Sequence, residues 1–215
     1  MRVIAGIYRS RLLVSPPGTL TRPTSDRLRE TLFNILAARR PGGLEGARFA
    51  DLYAGTGAVG LEAISRGAAF CWFAEKAEPA LKALRTNLAA LKVTAGAYSV
   101  EERGAGAVLA GLARLSGGVD VFYLDPPYDA ETEYTGTLGL LGSATGRKLV
   151  APGGVVVVEF ASKSKFKLAE RFGALVRTRT YRQGETTLGF YEVAPPETGK
   201  LGAGEPEAGG NGLPV

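Results

Sequence analysis

The segment Asp125-Pro126-Pro127-Tyr128 directly follows an apolar run, Val119 to Leu124, that reads as a short buried strand. A carboxylate, a proline-fixed carbonyl and an aromatic ring in four residues suit one task, the handling of a flat ring that carries an amino group. The lone pair of such a nitrogen is delocalised into the ring, so the nitrogen attacks only when its hydrogens are held. Asp125 and the carbonyl of Pro126 can hold them, because prolines fix φ and spend no N–H of their own. Tyr128 offers a stacking face, and stacking is worth about 1–3 kcal/mol per extruded base.

A second set lies upstream. Asp51-Leu52-Tyr53-Ala54-Gly55-Thr56-Gly57-Ala58-Val59-Gly60 is a GxGxxG turn between a predicted strand and a predicted helix. Its glycines let backbone approach a ligand, and the helix start offers free N–H groups. Glu75 ends the next predicted strand about 20 residues after Gly55, where an acid receives ribose hydroxyls in nucleotide-binding α/β units. These features suit either a nicotinamide dinucleotide or S-adenosylmethionine. Hydride transfer leaves Asp125–Tyr128 unused, whereas methyl transfer to an exocyclic amine uses it.

The elements that must position these residues alternate. Strands are predicted at Ala47–Tyr53, Phe70–Glu75, Tyr98–Val100, Val119–Leu124 and Val155–Phe160. Helices are predicted through Leu61 and Ile64 to Arg66, from Pro79 through the stripe Leu81, Leu84, Leu88 and Leu91, in the Ala- and Leu-rich stretch ending near Leu115, and around Thr137–Leu141 toward Lys148. A further helix is capped at Thr24 or Ser25 and carries Leu28, Leu32, Ile35 and Leu36 on one face. A hairpin, Leu175–Tyr181 with Thr187–Val193, closes the chain. The alternation predicts an α/β fold, a mostly parallel seven-stranded sheet with helices on both faces and an antiparallel C-terminal hairpin, in the Rossmann-like manner.

Composition excludes much. None of the 215 residues is histidine, so a histidine base, a Ser-His-Asp triad and a histidine-ligated metal are ruled out, and no metal is expected. Cys71 is the single cysteine, which precludes an intramolecular disulfide. The 26 Lys and Arg against 21 Asp and Glu give a formal charge of +5, suited to an anionic partner. The N-terminus lacks the apolar core of a secretory signal and no run reaches a membrane span, so a cytoplasmic protein is expected.

Three units are expected: a basic arm or hairpin over residues 1–20, a catalytic domain over 21–194, and a disordered tail over 195–215 rich in Gly, Pro and Glu.

The block Thr21-Arg22-Pro23-Thr24-Ser25-Asp26-Arg27-Leu28-Arg29-Glu30-Thr31-Leu32-Phe33-Asn34 resembles a signature of the RsmD-type guanine-N2 methyltransferases of 16S rRNA. The stretches Arg2–Arg11, Gly60–Gly67 and Tyr181–Leu188 are similar to that family as well. The resemblance implies transfer of one methyl group from S-adenosylmethionine to N2 of a guanine in 16S rRNA, within an assembling 30S particle, by a monomer. It implies a base pocket of Asp125, Pro126, Pro127 and Tyr128. Asp51, Tyr53, Gly55, Thr56, Gly57, Gly60, Glu75 and Lys76 would hold the cofactor, with Arg22 and Thr24 lying over it. Arg9 and Arg11 of the arm, with Arg27 and Arg29 of the first helix, would contact RNA.

The chain departs from the family pattern at Gly104, where an acid usually meets the cofactor's adenine; a shifted Glu102, a backbone group or weaker binding are the alternatives. Other amino-methyltransferases, including those acting on adenine N6 of DNA, share the Asp-Pro-Pro-Tyr motif, but no separate target-recognition domain is evident. A non-catalytic RNA-binding module would show steep salt dependence without cofactor binding.

Overall fold

A computed structural model describes residues 1–16, 25–114, 116–164 and 166–195. The parallel half of the sheet is built from β1 (Arg48–Asp51), β2 (Phe70–Ala74), β3 (Tyr98–Glu101), β4 (Val119–Leu124) and β5 (Val150–Ala161). The antiparallel half comprises β6 (Arg171–Phe172), β7 (Leu175–Gln183) and β8 (Thr186–Val193). The strand order is β3-β2-β1-β4-β5-β8-β7-β6. The two-residue β6 brings the count among the described residues to eight, and two residues are too few to leave a period in the sequence. β5 starts five residues earlier than its apolar run suggests, because Pro152-Gly153-Gly154 interrupts the pattern but not the pairing of Val150 with Val119.

Successive strand residues face opposite cores. Val121, Tyr123, Val155 and Val157 pack with α1 (Asp26–Ala38), α2 (Ala58–Ser65) and α3 (Glu78–Ala90). Phe122, Leu124, Val156 and Val158 pack with α4 (Ala105–Leu112) and α5 (Glu131–Gly142). α5 starts six residues before the predicted Thr137, its pattern broken by Gly136 and Gly139, and only a 3-10 turn, Gly146–Leu149, continues toward Lys148. Ser25 caps α1 through the Leu28 N–H at 3.1 Å.

The first residues form a hairpin, bridged at Arg2 and Leu12, that shares the domain's core through Val3 and Leu13. Its exposed N–H groups are satisfied by α2. Glu62, fully buried, accepts from Ile4 N at 2.7 Å and Ala5 N at 3.0 Å, while Ser65 takes Ile7 N and Tyr8 N. Among the described residues, no helix is long and apolar enough to cross a membrane. The tail expected to be disordered, beyond Pro195, lies outside the described residues.

Candidate active site

β1 and β4 are neighbours in the sheet, with Asp51 in register with Tyr123, so the glycine turn and Asp125–Tyr128 open side by side at the carboxyl edge. That edge, where α/β crossovers diverge, is where such folds bind ligands.

The turn is braced from beneath. Asp51, 1% exposed, accepts from Gly60 N at 3.0 Å with Oδ2, and its Oδ1 has no hydrogen-bond partner among the described residues. Burial, reinforced by the charge of Glu75, pushes the Asp51 carboxyl up to about 7. Gly57 has φ +81°, and at Gly60 a Cβ would lie 2.2 Å from the Phe73 ring, so α2 reaches β2 only with glycine there.

Glu75 lies where the ribose acid is expected, and it also shapes the turn. One oxygen accepts from Gly55 N at 2.7 Å and the other from the N–H groups of Lys76 and Ala77 at 2.8 Å each. Asn87 of α3 is buried beneath the same turn. Its amide donates to the Thr56 carbonyl at 2.9 Å and grips both backbone groups of Val14, which joins the N-terminal hairpin to the ligand loop.

The residues fit S-adenosylmethionine. Among the described residues a Cβ at Gly55 would meet nothing within 4 Å, and the orphaned Asp51 Oδ1 offers a buried acceptor for a cationic donor. The hydroxyl of Tyr53 is held by Glu133 at 2.9 Å and Thr137 at 2.8 Å in α5. Lys76 lies across Gly104, with its Nζ 3.4 Å from Glu133. Glu102, the shifted alternative for the place left by Gly104, is ion-paired with Arg85 at the surface.

Next to the turn, Asp125 accepts no hydrogen bond from the described residues. Burial first, then the charges of Glu159 and Asp51, hold its carboxyl well above the usual carboxylate range. Pro126 is buried and Pro127 exposed, and the Pro126 carbonyl accepts from Tyr134 at 3.0 Å. Tyr128 is 38% exposed beside them, with its hydroxyl 3.3 Å from Glu159 Oε1. Glu159 was not foreseen. The signal available was a lone acid inside the run Val155–Phe160, where an unpaired charge costs too much to be accidental.

Arg29 corrects the expected RNA contacts. Its leucine-spaced helix reads as having a polar face there, but the side chain is fully buried and donates to the Arg2 carbonyl at 2.5 Å and to Asp26 at 3.0 Å. It ties the hairpin to α1 and is shielded from any phosphate. Arg27 and Arg9 are exposed, as is Arg11, which donates to the Ala90 carbonyl at 3.2 Å. The hairpin tip rests on Ser65 at the far end of α2, about 12 Å of helix from the glycine turn. Arg22 and Thr24 lie outside the described residues.

Residues 1–192 match the protein family described as "Conserved hypothetical protein 95", the sequence family of RsmD. The chain belongs to this family. "Putative rRNA methyltransferase YlbH" of Bacillus subtilis is 34% identical over 192 residues, covering 89% of this chain and 98% of its own. "Ribosomal RNA small subunit methyltransferase D" of Escherichia coli K12 is 39% identical over 128 residues, 60% of each chain. The solved structure of a hypothetical protein from Thermus thermophilus superposes with a TM-score of 0.72 at 28% identity, covering 90% of this chain and 99% of that one. Family membership therefore extends through the hairpin, the glycine turn, Asp125–Tyr128 and Glu159.

Proposed function

We propose that this chain transfers a methyl group from S-adenosylmethionine to the N2 amino group of a guanine in small-subunit rRNA. The observation that carries the reading is the placement of Asp125 and the exposed Tyr128 in the loop that leaves β4, next to β1, which ends at the glycine turn. A ligand held in one loop and a base stacked in the other would meet without any intervening residue. The names of the relatives from B. subtilis and E. coli support rRNA as the substrate.

Asp51, Gly55, Thr56, Gly57, Gly60, Glu75 and Lys76 would hold the cofactor, which when bound supplies an electrophilic sulfonium methyl. Asp125 and the remaining lone pair of the Pro126 carbonyl receive the two amino hydrogens, which returns electron density to the nitrogen. Tyr128 stacks on the base. With no histidine in the chain, alignment carries the rate, and effective-molarity effects of this kind supply about 7–11 kcal/mol. Arg9, Arg11 and Arg27 engage RNA phosphates, which positions the substrate without reading its sequence. We take the substrate to be an assembling 30S particle in the cytoplasm and the enzyme to be a monomer.

The test is transfer of labelled methyl to undermethylated small subunits and to their naked rRNA, by wild type and Asp125→Ala, followed by nucleoside analysis. N2-methylguanosine made by wild type alone supports the reading. Label in N6-methyladenosine, or equal transfer by Asp125→Ala, sinks it.

A further inference from the structure

Glu159 is 2% exposed, and three phenols from three elements converge on it. Tyr123 of β4 donates to Oε2, Tyr128 donates to Oε1 at 3.3 Å, and Tyr134 of α5 reaches its backbone carbonyl at 3.1 Å. The Tyr128 hydroxyl also lies 3.3 Å from the hydroxyl of Thr186 in β8. A buried carboxylate is tolerated only with its oxygens satisfied, so the donors and the acid fix one another.

The Tyr128 ring thus differs from its own hydroxyl end. Tyr128 stays 38% exposed, while its hydroxyl is anchored on β5 and β8 and its backbone follows two prolines. A tyrosine held at both ends keeps its ring axis in one place, and a stacking group placed in advance spares the base part of the cost of ordering it.

We propose that Glu159 is a positioning residue of the base pocket, which sets the Tyr128 ring beside Asp125 through the two tyrosine hydroxyls before the target base arrives. This rests on the methyl-transfer reading above.

The test compares Tyr128→Phe, Glu159→Gln and the double variant on undermethylated subunits, with S-adenosylhomocysteine binding measured alongside. Each single variant is expected to lower kcat/KM about tenfold, chiefly through KM for RNA, with cofactor affinity held within about twofold. The double variant should be no worse than the worse single one, because both cut the same tether. Multiplying losses, or a silent Tyr128→Phe, would overturn the proposal. Should Glu159→Gln fail to fold, Tyr128→Phe and Thr186→Val decide it, since both loosen the ring from its outer end and both must raise KM for RNA.

Ring-labelled tyrosine NMR supplies an arm independent of activity. The NMR order parameter of the Tyr128 ring axis should be high in wild type and fall in Thr186→Val and Glu159→Gln, because the hydroxyl bonds hold that axis. A low order parameter in wild type overturns the tether. Absence of any methyl transfer by wild type fails the methyl-transfer reading instead, and the NMR result still decides the tether.

Discussion

The hydroxyl of Tyr134 stands 3.0 Å from the carbonyl oxygen of Pro126. A carbonyl has two lone pairs, so the phenol directs one and leaves the other for an incoming donor. Tyr134→Phe should cost about 1–3 kcal/mol in urea unfolding, because the buried carbonyls of Pro126 and Glu159 lose a donor. It should lower kcat more than cofactor affinity. Unchanged kcat in a variant that has lost stability would show that the carbonyl needs no steering.

Asp51 makes stability depend on pH. Its carboxyl, at 3.8 in an unfolded chain, rises to about 7 in the fold, where burial is the largest cause. Between those values the folded state keeps a proton that the unfolded state has lost. Its stabilising contribution is complete below about pH 4 and declines as pH rises through about 7, by on the order of 4 kcal/mol in all. Asp51→Asn should flatten this decline and be the more stable protein at pH 8 while binding cofactor less tightly. Chemical denaturation at pH 5 and pH 8 measures both slopes.

Cofactor charge should move protons. Asp51 and Asp125 are both held above the ordinary carboxylate range, and a sulfonium cation nearby favours their ionised forms. At pH 7, binding of S-adenosylmethionine should release protons, and S-adenosylhomocysteine, which lacks the sulfonium charge, should release fewer. Calorimetry in phosphate and in Tris reads the difference. Equal apparent enthalpies in the two buffers for both ligands would refute the linkage.

Glu62 should hold the N-terminal hairpin in place. Its oxygens accept from Ile4 N, Ala5 N and Arg66 Nε, the last at 2.7 Å. Glu62→Ala strips two strand N–H groups and one partly buried guanidinium of their partner, for a cost of about 3–5 kcal/mol. Limited proteolysis should then cut within residues 1–14 first. Global unfolding with no early cut would mean that Val3 and Leu13 hold the hairpin without Glu62.

The parallel sheet and the two loops at its edge were legible because each announces itself locally. Apolar runs mark β1, β2 and β4, GxGxxG marks a turn, and Asp-Pro-Pro-Tyr marks a rigid strand exit. The parts that escaped depend on what packs against them. Arg29 shares a helix with exposed Arg27, and only the hairpin that covers it makes it an interior residue. Glu159 acquires its role from Tyr123, Tyr128 and Tyr134, which lie 25 to 36 positions away in sequence. β6 gains its pairing from β7 alone. Periodicity reports a residue's own surroundings along the chain, and these three are defined across it.

The insertion of β8 between β5 and β7 gives the two halves of the pocket different origins along the chain. The glycine turn and the Asp125 loop both precede Thr186 along the chain, the latter by about 60 positions. Only when the last strand threads antiparallel into its slot is the Tyr128 hydroxyl caught from its second side. The glycine turn is therefore built within the parallel strands, whereas the second anchor of the Tyr128 hydroxyl needs a residue 58 positions further along the chain.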